Sequence, residues 1–156
     1  MPFEGWRPTW IMSKLGSHVR DFTPCPDRGL KAGQWTDDTK MALYLARSII
    51  RTRGDYNPAD AAACYLEWFE SGDLRGIGGA TIESIMRIKA GSGWQASGKQ
   101  GKYAAGNGSA MRTAPIGLLD YADPELLKTD SQKDAIITHN NPEAVAGSRA
   151  VNFFVS

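Results

Sequence analysis

Cysteine is scarce: Cys25 and Cys64 are the only two in 156 residues. Two such distant thiols form neither a disulfide framework nor a zinc-type cysteine pattern, and their usage fits a reducing, cytoplasmic setting. An excess of either charge is missing too, since 18 basic side chains face 17 acidic ones for a net charge of +1. That balance gives no electrostatic reason to expect nucleic acid or an anionic membrane as a partner. No apolar run approaches the roughly 20 residues that span a bilayer. The opening MPFEGWRPTWIM lacks the basic-then-apolar order of a secretion signal. Period-two alternation, the mark of a strand, is found nowhere, and neither are solenoid repeats. What remains is enough chain for one domain with a sizeable core.

Helical patterning fills much of that length, and the expected class is all-α. Prolines and glycines crowd residues 1–35, which read as extended loop with a short turn of helix near PTWIMSKLG. Met41/Ala42, Leu45/Ala46 and Ile49/Ile50 recur every four residues, predicting a helix over about 37–53 that stops at Gly54. Asn57 followed by Pro58 is an N-cap and first helical position, and Gly72 is the matching stop. A third helix is predicted over about 79–90, with Ile82, Ile85, Met86 and Lys89 on one face. Six glycines in residues 91–108 predict loop. SAMRTAPIGLL reads as a helix broken at Pro115. Two more are predicted near 130–139 and 142–154, the second opened by Asn141-Pro142.

Chemistry concentrates in three places. The first is GQWTDDTKMAL, where Thr36, Asp37, Asp38 and Thr39 stand at the start of the first long helix. A threonine or aspartate there caps a helix, and an acid in the first turn complements its dipole. Two carboxylates and a hydroxyl on one turn also offer hard oxygen ligands for Mg²⁺, Mn²⁺ or Ca²⁺, and nothing soft for zinc. Capping needs only one or two of these groups, so both readings stand.

The second is AAGNGSAMRTAP. Gly106 and Gly108 around Asn107 permit a left-handed turn, and a helix starting near Ser109 would aim free N–H groups at the loop, a cradle for an anion. A flexible loop closed by a serine cap explains the same residues. Met111 stands where a dinucleotide fingerprint needs its third glycine, and no strand precedes the loop, so that motif fails. Arg112 can pair with a phosphate or with a structural carboxylate. The third place is THNNPEAVAG, where His139 sits at a helix junction, as a structural hydrogen-bonding group or a functional one. Trp6, Trp35 or Trp94 could stack on a purine, though tryptophans serve as core and loop anchors as well.

In their order along the chain, MPFEGW, GQWTDDTKMAL, AAGNGSAMRTAPIGLL, DPELL and ITHNNPEAVAG resemble the ADP-ribosylglycohydrolase family, across essentially all 156 residues. The resemblance implies an all-α fold and hydrolysis of the bond between ADP-ribose and a modified protein side chain. It implies two Mg²⁺ or Mn²⁺ ions as cofactors, with Thr36, Asp37 and Asp38 as metal ligands. Glu4, Asp37 and Asp38 would form the catalytic set, Glu4 orienting or deprotonating the water. Gly106, Asn107, Gly108, Ser109, Ala110 and Met111 would cradle the diphosphate and its ribose, and His139 would line the cleft. The partner implied is an ADP-ribosylated protein or an ADP-ribose-containing small molecule.

Two family segments have no counterpart: the first helix with its Gly-Asp, and the late Asp-x-Asp-Thr that supplies further metal ligands. The expectation is therefore one ADP-ribosylglycohydrolase-like domain over 1–156, lacking the first helix and the C-terminal half. Ala144, Gly147, Ala150, Val151 and Phe154 form a helix face suited to close packing, and Phe153 and Phe154 an apolar patch. A homo-oligomer or a complementing chain would complete such a domain. The alternative is a non-catalytic ADP-ribose- or nucleotide-binding module.

Overall fold

The computed structural model describes residues 3, 7–16 and 20–156, which is mostly helix, as the patterning predicts. Glu4 and Trp6 lie outside the described residues. The chain divides into two units, Met1–Trp35 and Thr36–Ser156. In the first, α1 spans Pro8–Leu15 with proline at its opening position, which matches the predicted turn of helix. A 3-10 turn over Pro26–Arg28 closes between Cys25 and Leu30, whose backbones exchange two hydrogen bonds of 2.9 and 3.0 Å.

The second unit holds α2 (Asp37–Arg51), α3 (Pro58–Glu70), α4 (Gly79–Lys89), α5 (Trp94–Ser97), α6 (Ala114–Leu119), α7 (Pro124–Thr138) and α8 (Pro142–Val155). The Asn-Pro signatures act as read. The Asn57 side chain accepts from the N–H groups of Ala59 and Asp60, and Asn141 does the same for Glu143 and Ala144. Between the 3-10 turn Ala110–Arg112 and α6, the chain breaks just before Pro115.

Several expectations are corrected. The helix expected near 130–139 is α7, which starts at Pro124 because Asp123 caps it through the N–H groups of Glu125 and Leu126. Residues 91–108 are not all loop: they carry α5 and a two-residue strand, β1 (Lys99–Gln100), paired in parallel with β2 (His139–Asn140). That pairing is too short to show as alternation. On α4 the buried residues are Thr81, Ser84 and Ile85, whereas Ile82 and Met86 face outward. The packed stripe of α8 is Ala144, Ser148 and Asn152, a four-residue row, and Phe153 and Phe154 are exposed.

Met41, Leu45, Tyr65, Trp68, Ile85, Ile116 and Ile137 form one core. Each fully buried side chain of this kind contributes about 1.5–3 kcal/mol. The C-terminus of α7 ends inside the molecule, where its last carbonyls need partners. Ser97 Oγ donates to the Ile137 carbonyl and Ser84 Oγ to the Thr138 carbonyl, each at 2.8 Å. Gly98 passes so close that a Cβ there would fall 2.0 Å from the Ile136 oxygen. This buried junction is what fixes His139 in place.

Candidate functional site

The acid turn at the start of α2 is held from outside the helix. The Asp37 N–H donates to the Arg75 carbonyl at 2.9 Å. Arg75 in turn binds Asp73 with both Nε and Nη2, at 2.6 and 2.8 Å, and Asp73 also pairs with Lys40 of α2 at 3.0 Å. Gly76 closes over the turn with φ +84°, and a Cβ there would stand 2.3 Å from Asp37 Oδ1. Only glycine satisfies both the left-handed conformation and that approach.

Asp37 and Asp38 do stand in the first turn of α2, where acids complement the helix dipole, but the side-chain cap is missing. Thr36 occupies the N-cap position, yet its side chain makes no capping hydrogen bond. Its hydroxyl donates instead to Asp38 Oδ2 at 3.1 Å. Asp37 is 5% exposed, and its buried Oδ1 has no hydrogen-bond partner. A buried, unpaired carboxylate oxygen is costly unless something else satisfies it. Burial, reinforced by the Asp38 charge, pushes the Asp37 carboxyl up to about 6. A divalent cation would reverse both penalties by supplying the missing positive charge.

The residue types fit such an ion: two carboxylates and a hydroxyl are the hard oxygens that Mg²⁺ and Mn²⁺ take. They supply only part of a shell of roughly six ligands. Among the described residues, no three acid, histidine or cysteine side chains converge on one point.

The glycine loop is built differently from the sequence expectation. Neither Gly106 nor Gly108 is among the left-handed glycines. Gly108 is required by a close approach instead, since a Cβ there would meet His139 Cε1 at 2.5 Å and Thr81 Oγ1 at 3.4 Å. No long helix starts at Ser109, only the three-residue turn Ala110–Arg112. The helix-terminus cradle is thus absent, leaving the exposed Gly106–Asn107 backbone as the loop's free surface. Ser109 Oγ donates to the Ala144 carbonyl at 3.3 Å, Ala110 lies beside Gly147, and Met111 packs on the core. Those three side chains anchor the loop to α8 and the core. Trp94 also packs against the core, and Trp35 is half exposed.

Arg112 takes the structural alternative. It is fully buried, donating from Nε to Asp134 Oδ2 at 3.0 Å and from Nη2 to the Asp134 carbonyl at 2.7 Å. Nη1 reaches the Gly108 carbonyl at 3.1 Å and Thr138 Oγ1 at 2.6 Å. The guanidinium lies over the Tyr65 ring at 4.5 Å, and the Tyr65 hydroxyl donates to Asp134 Oδ1 at 2.6 Å. Four of its five N–H donors are committed and the side chain is fully buried, so it reaches no phosphate without breaking this network.

His139 is 3% exposed, with Nδ1 2.9 Å from Thr138 Oγ1. Burial first, then the Arg112 and Lys99 charges, push it down to about 4, so the ring is neutral at physiological pH. The acid turn and the loop are tied through one segment: Gly76 sits on Asp37, and Thr81, five residues on, lies against Gly108. Five residues of chain span at most about 18 Å, so both constellations belong to one neighbourhood. Gly76 and Thr81 escaped the sequence reading, although the GIGG run in residues 76–79 marked a tight passage between helices.

A mostly helical scaffold thus brings an under-satisfied acid turn near a glycine loop. The sequence carries the match to a particular group of proteins: the chain belongs to the ADP-ribosylglycohydrolase family, whose profile matches residues 1–156. It is 35% identical over 151 residues to an uncharacterized protein of Archaeoglobus fulgidus, covering 97% of this chain and 48% of that protein. It is 34% identical over 135 residues to ADP-ribosylarginine hydrolase Tri1 of Pseudomonas putida, covering 82% and 36%. With ADP-ribosyl-[dinitrogen reductase] glycohydrolase of Rhodospirillum rubrum it shares 35% over 113 residues, covering 72% and 37%. The chain thus spans half or less of the length of these curated relatives.

Proposed function

We propose that this chain carries part of the site for metal-dependent hydrolysis of the glycosidic bond between ADP-ribose and a modified protein side chain. The observation that carries the reading is the buried, unpartnered Oδ1 of Asp37 on the acid turn. The names of the Pseudomonas and Rhodospirillum relatives support an ADP-ribosylated protein as the substrate.

Thr36, Asp37 and Asp38 would hold one or both of two Mg²⁺ or Mn²⁺ ions. When bound, such ions supply positive charge to the ribose hydroxyls and lower the pKa of a coordinated water. Glycosidic cleavage passes through an oxocarbenium-like state at the anomeric carbon. The Asp37 and Asp38 carboxylates would favour that state by their negative charge, and Glu4 would orient the attacking water and accept its proton. The Gly106–Gly108 backbone would face the diphosphate, with the neutral His139 ring behind it. Both cysteines are free, which supports a reducing, cytoplasmic setting. Among the described residues no helix is long and apolar enough to cross a membrane.

The test is release of ADP-ribose from ADP-ribosyl-arginine and ADP-ribosyl-serine peptides, with Mg²⁺ and after chelation, beside Asp37→Ala. Metal-dependent release, lost in the variant, is the expected result and names the acceptor. Release that survives chelation contradicts the metal reading. Folded protein that binds ADP-ribose and releases none is a binding module.

A further inference from the structure

Arg112 and Thr138 bear on His139 in a way that hydrogen counting resolves. An arginine only donates, so Thr138 Oγ1 must accept from Arg112 Nη1. Asp134 fixes that arginine from its side chain and its carbonyl at once. Among the described residues Thr138 Oγ1 has one other partner, His139 Nδ1. Thr138 is fully buried, and a buried hydroxyl proton left without an acceptor costs free energy. If Nδ1 carried the ring proton, the Thr138 hydroxyl would accept twice and its own proton would point at nothing. If Thr138 donates to Nδ1, the Thr138 hydroxyl and Nδ1 are both satisfied and the ring proton sits on Nε2, free for a ligand.

Nε2 is the nitrogen turned to the loop. It has no hydrogen-bond partner among the described residues and lies 3.5 Å from where a Cβ would stand on Gly106. We propose that Asp134, Arg112 and Thr138 form a relay that locks His139 in its Nε2–H tautomer. The ring is thereby a fixed neutral donor toward an acceptor held by the Gly106–Gly108 loop. Arg112 and Thr138 are positioning residues: neither faces the loop's free surface, and both act through the ring. The charged groups bearing on the ring are Arg112 from the Ala110–Arg112 turn and Lys99 from β1. Both are cations and disfavour a second ring proton, so the ring stays neutral, with Nδ1 accepting, as pH falls. The relay itself is independent of the hydrolysis reading. Only the identity of the acceptor, a phosphate oxygen of ADP-ribose, rests on it.

Ring ¹⁵N NMR decides the matter on the ligand-free chain, because the two neutral tautomers exchange which nitrogen is pyridine-like. His18 is assigned with His18→Gln. His139 is expected to show a protonated Nε2 and a pyridine-like Nδ1, unchanged from pH 8 to pH 5. Thr138→Val removes the donor and should move the proton to Nδ1 or give a mixture, and Thr138→Ser should restore the wild-type pattern. ADP-ribose affinity should fall about tenfold in Thr138→Val and stay within about twofold in Thr138→Ser. A wild-type ring protonated on Nδ1, or one that gains a second proton near pH 6, overturns the proposal even if neither variant folds. The expected tautomer with no shift of the His139 signals on adding ADP-ribose keeps the relay and overturns its role toward that ligand.

Discussion

Two buried polar clusters of the same unit differ in a way that separates scaffold from site. At Arg112 the guanidinium meets four hydrogen-bond acceptors and an aromatic face, and both Asp134 carboxylate oxygens are taken. At Asp37 a carboxylate is equally hidden, yet one oxygen has nothing to bind and the neighbouring charge is of the same sign. The first cluster is occupied from within: it holds the fold, and with it the His139 ring, in place. The second is under-satisfied, and folding tolerates it because the Asp73–Arg75 loop and Gly76 press it into shape. Burial alone does not mark function. At Asp37 the unmet valence stands beside the hard oxygens of Thr36 and Asp38 on one turn, and that combination is the ground for proposing a cation there.

The largest expected effect is at the closed cluster. Arg112→Met leaves the Asp134 carboxylate buried without its counter-charge, which costs about 3–5 kcal/mol, and urea unfolding should show it with or without Mg²⁺. Exchanging the whole set for matched apolar side chains should cost less, because no charge is then stranded.

Gly76→Ala comes next. It places a methyl 2.3 Å from Asp37 Oδ1 at a left-handed φ, so a loss of roughly 1–3 kcal/mol is expected, together with loss of any stabilisation by divalent metal. Thermal shifts with and without Mn²⁺ read both effects.

Asp37→Asn should act in the opposite sense. The folded carboxyl is raised from 3.8 to about 6, so between those values the folded chain binds more protons than the unfolded one. Asp37's contribution to metal-free stability is therefore greatest below about pH 4 and is lost as pH rises through about 6. The neutral amide should make the metal-free protein more stable at pH 7 by about 1–2 kcal/mol, and flatten the pH dependence. Asp120, which burial also raises to about 6, should keep the part of the slope that Asp37→Asn leaves. The smallest effect is at a plain cap, where Asn57→Ala should cost about 1 kcal/mol at any pH or metal concentration.

Local signals were readable from sequence wherever one or two residues decide an element. Asn57-Pro58 and Asn141-Pro142 marked two helix starts, and Pro115 marked a break. Asp123-Pro124 carried the same signature for α7 and was passed over because the apolar rhythm after it is weak. The acid turn was visible as a candidate, but not its state, since the loop that seals Asp37 arrives from residues 73–76. Gly108 was singled out for the wrong reason: its small size answers to His139, thirty-one positions away. The partners of Arg112 were hidden in the same manner, for Asp134 and Thr138 lie on a helix whose first turns the sequence reading missed. Contacts of this range depend on how helices pack, which periodicity does not encode.

Calorimetric titration of the metal-free protein with Mn²⁺ at pH 7, beside Asp37→Asn, tests the acid turn most directly. Wild type should bind, with a proton released where the pH lies near 6, and the variant should bind at least about tenfold more weakly. Equal binding by the two proteins, or none by either, would contradict the assignment of Asp37 as a metal ligand.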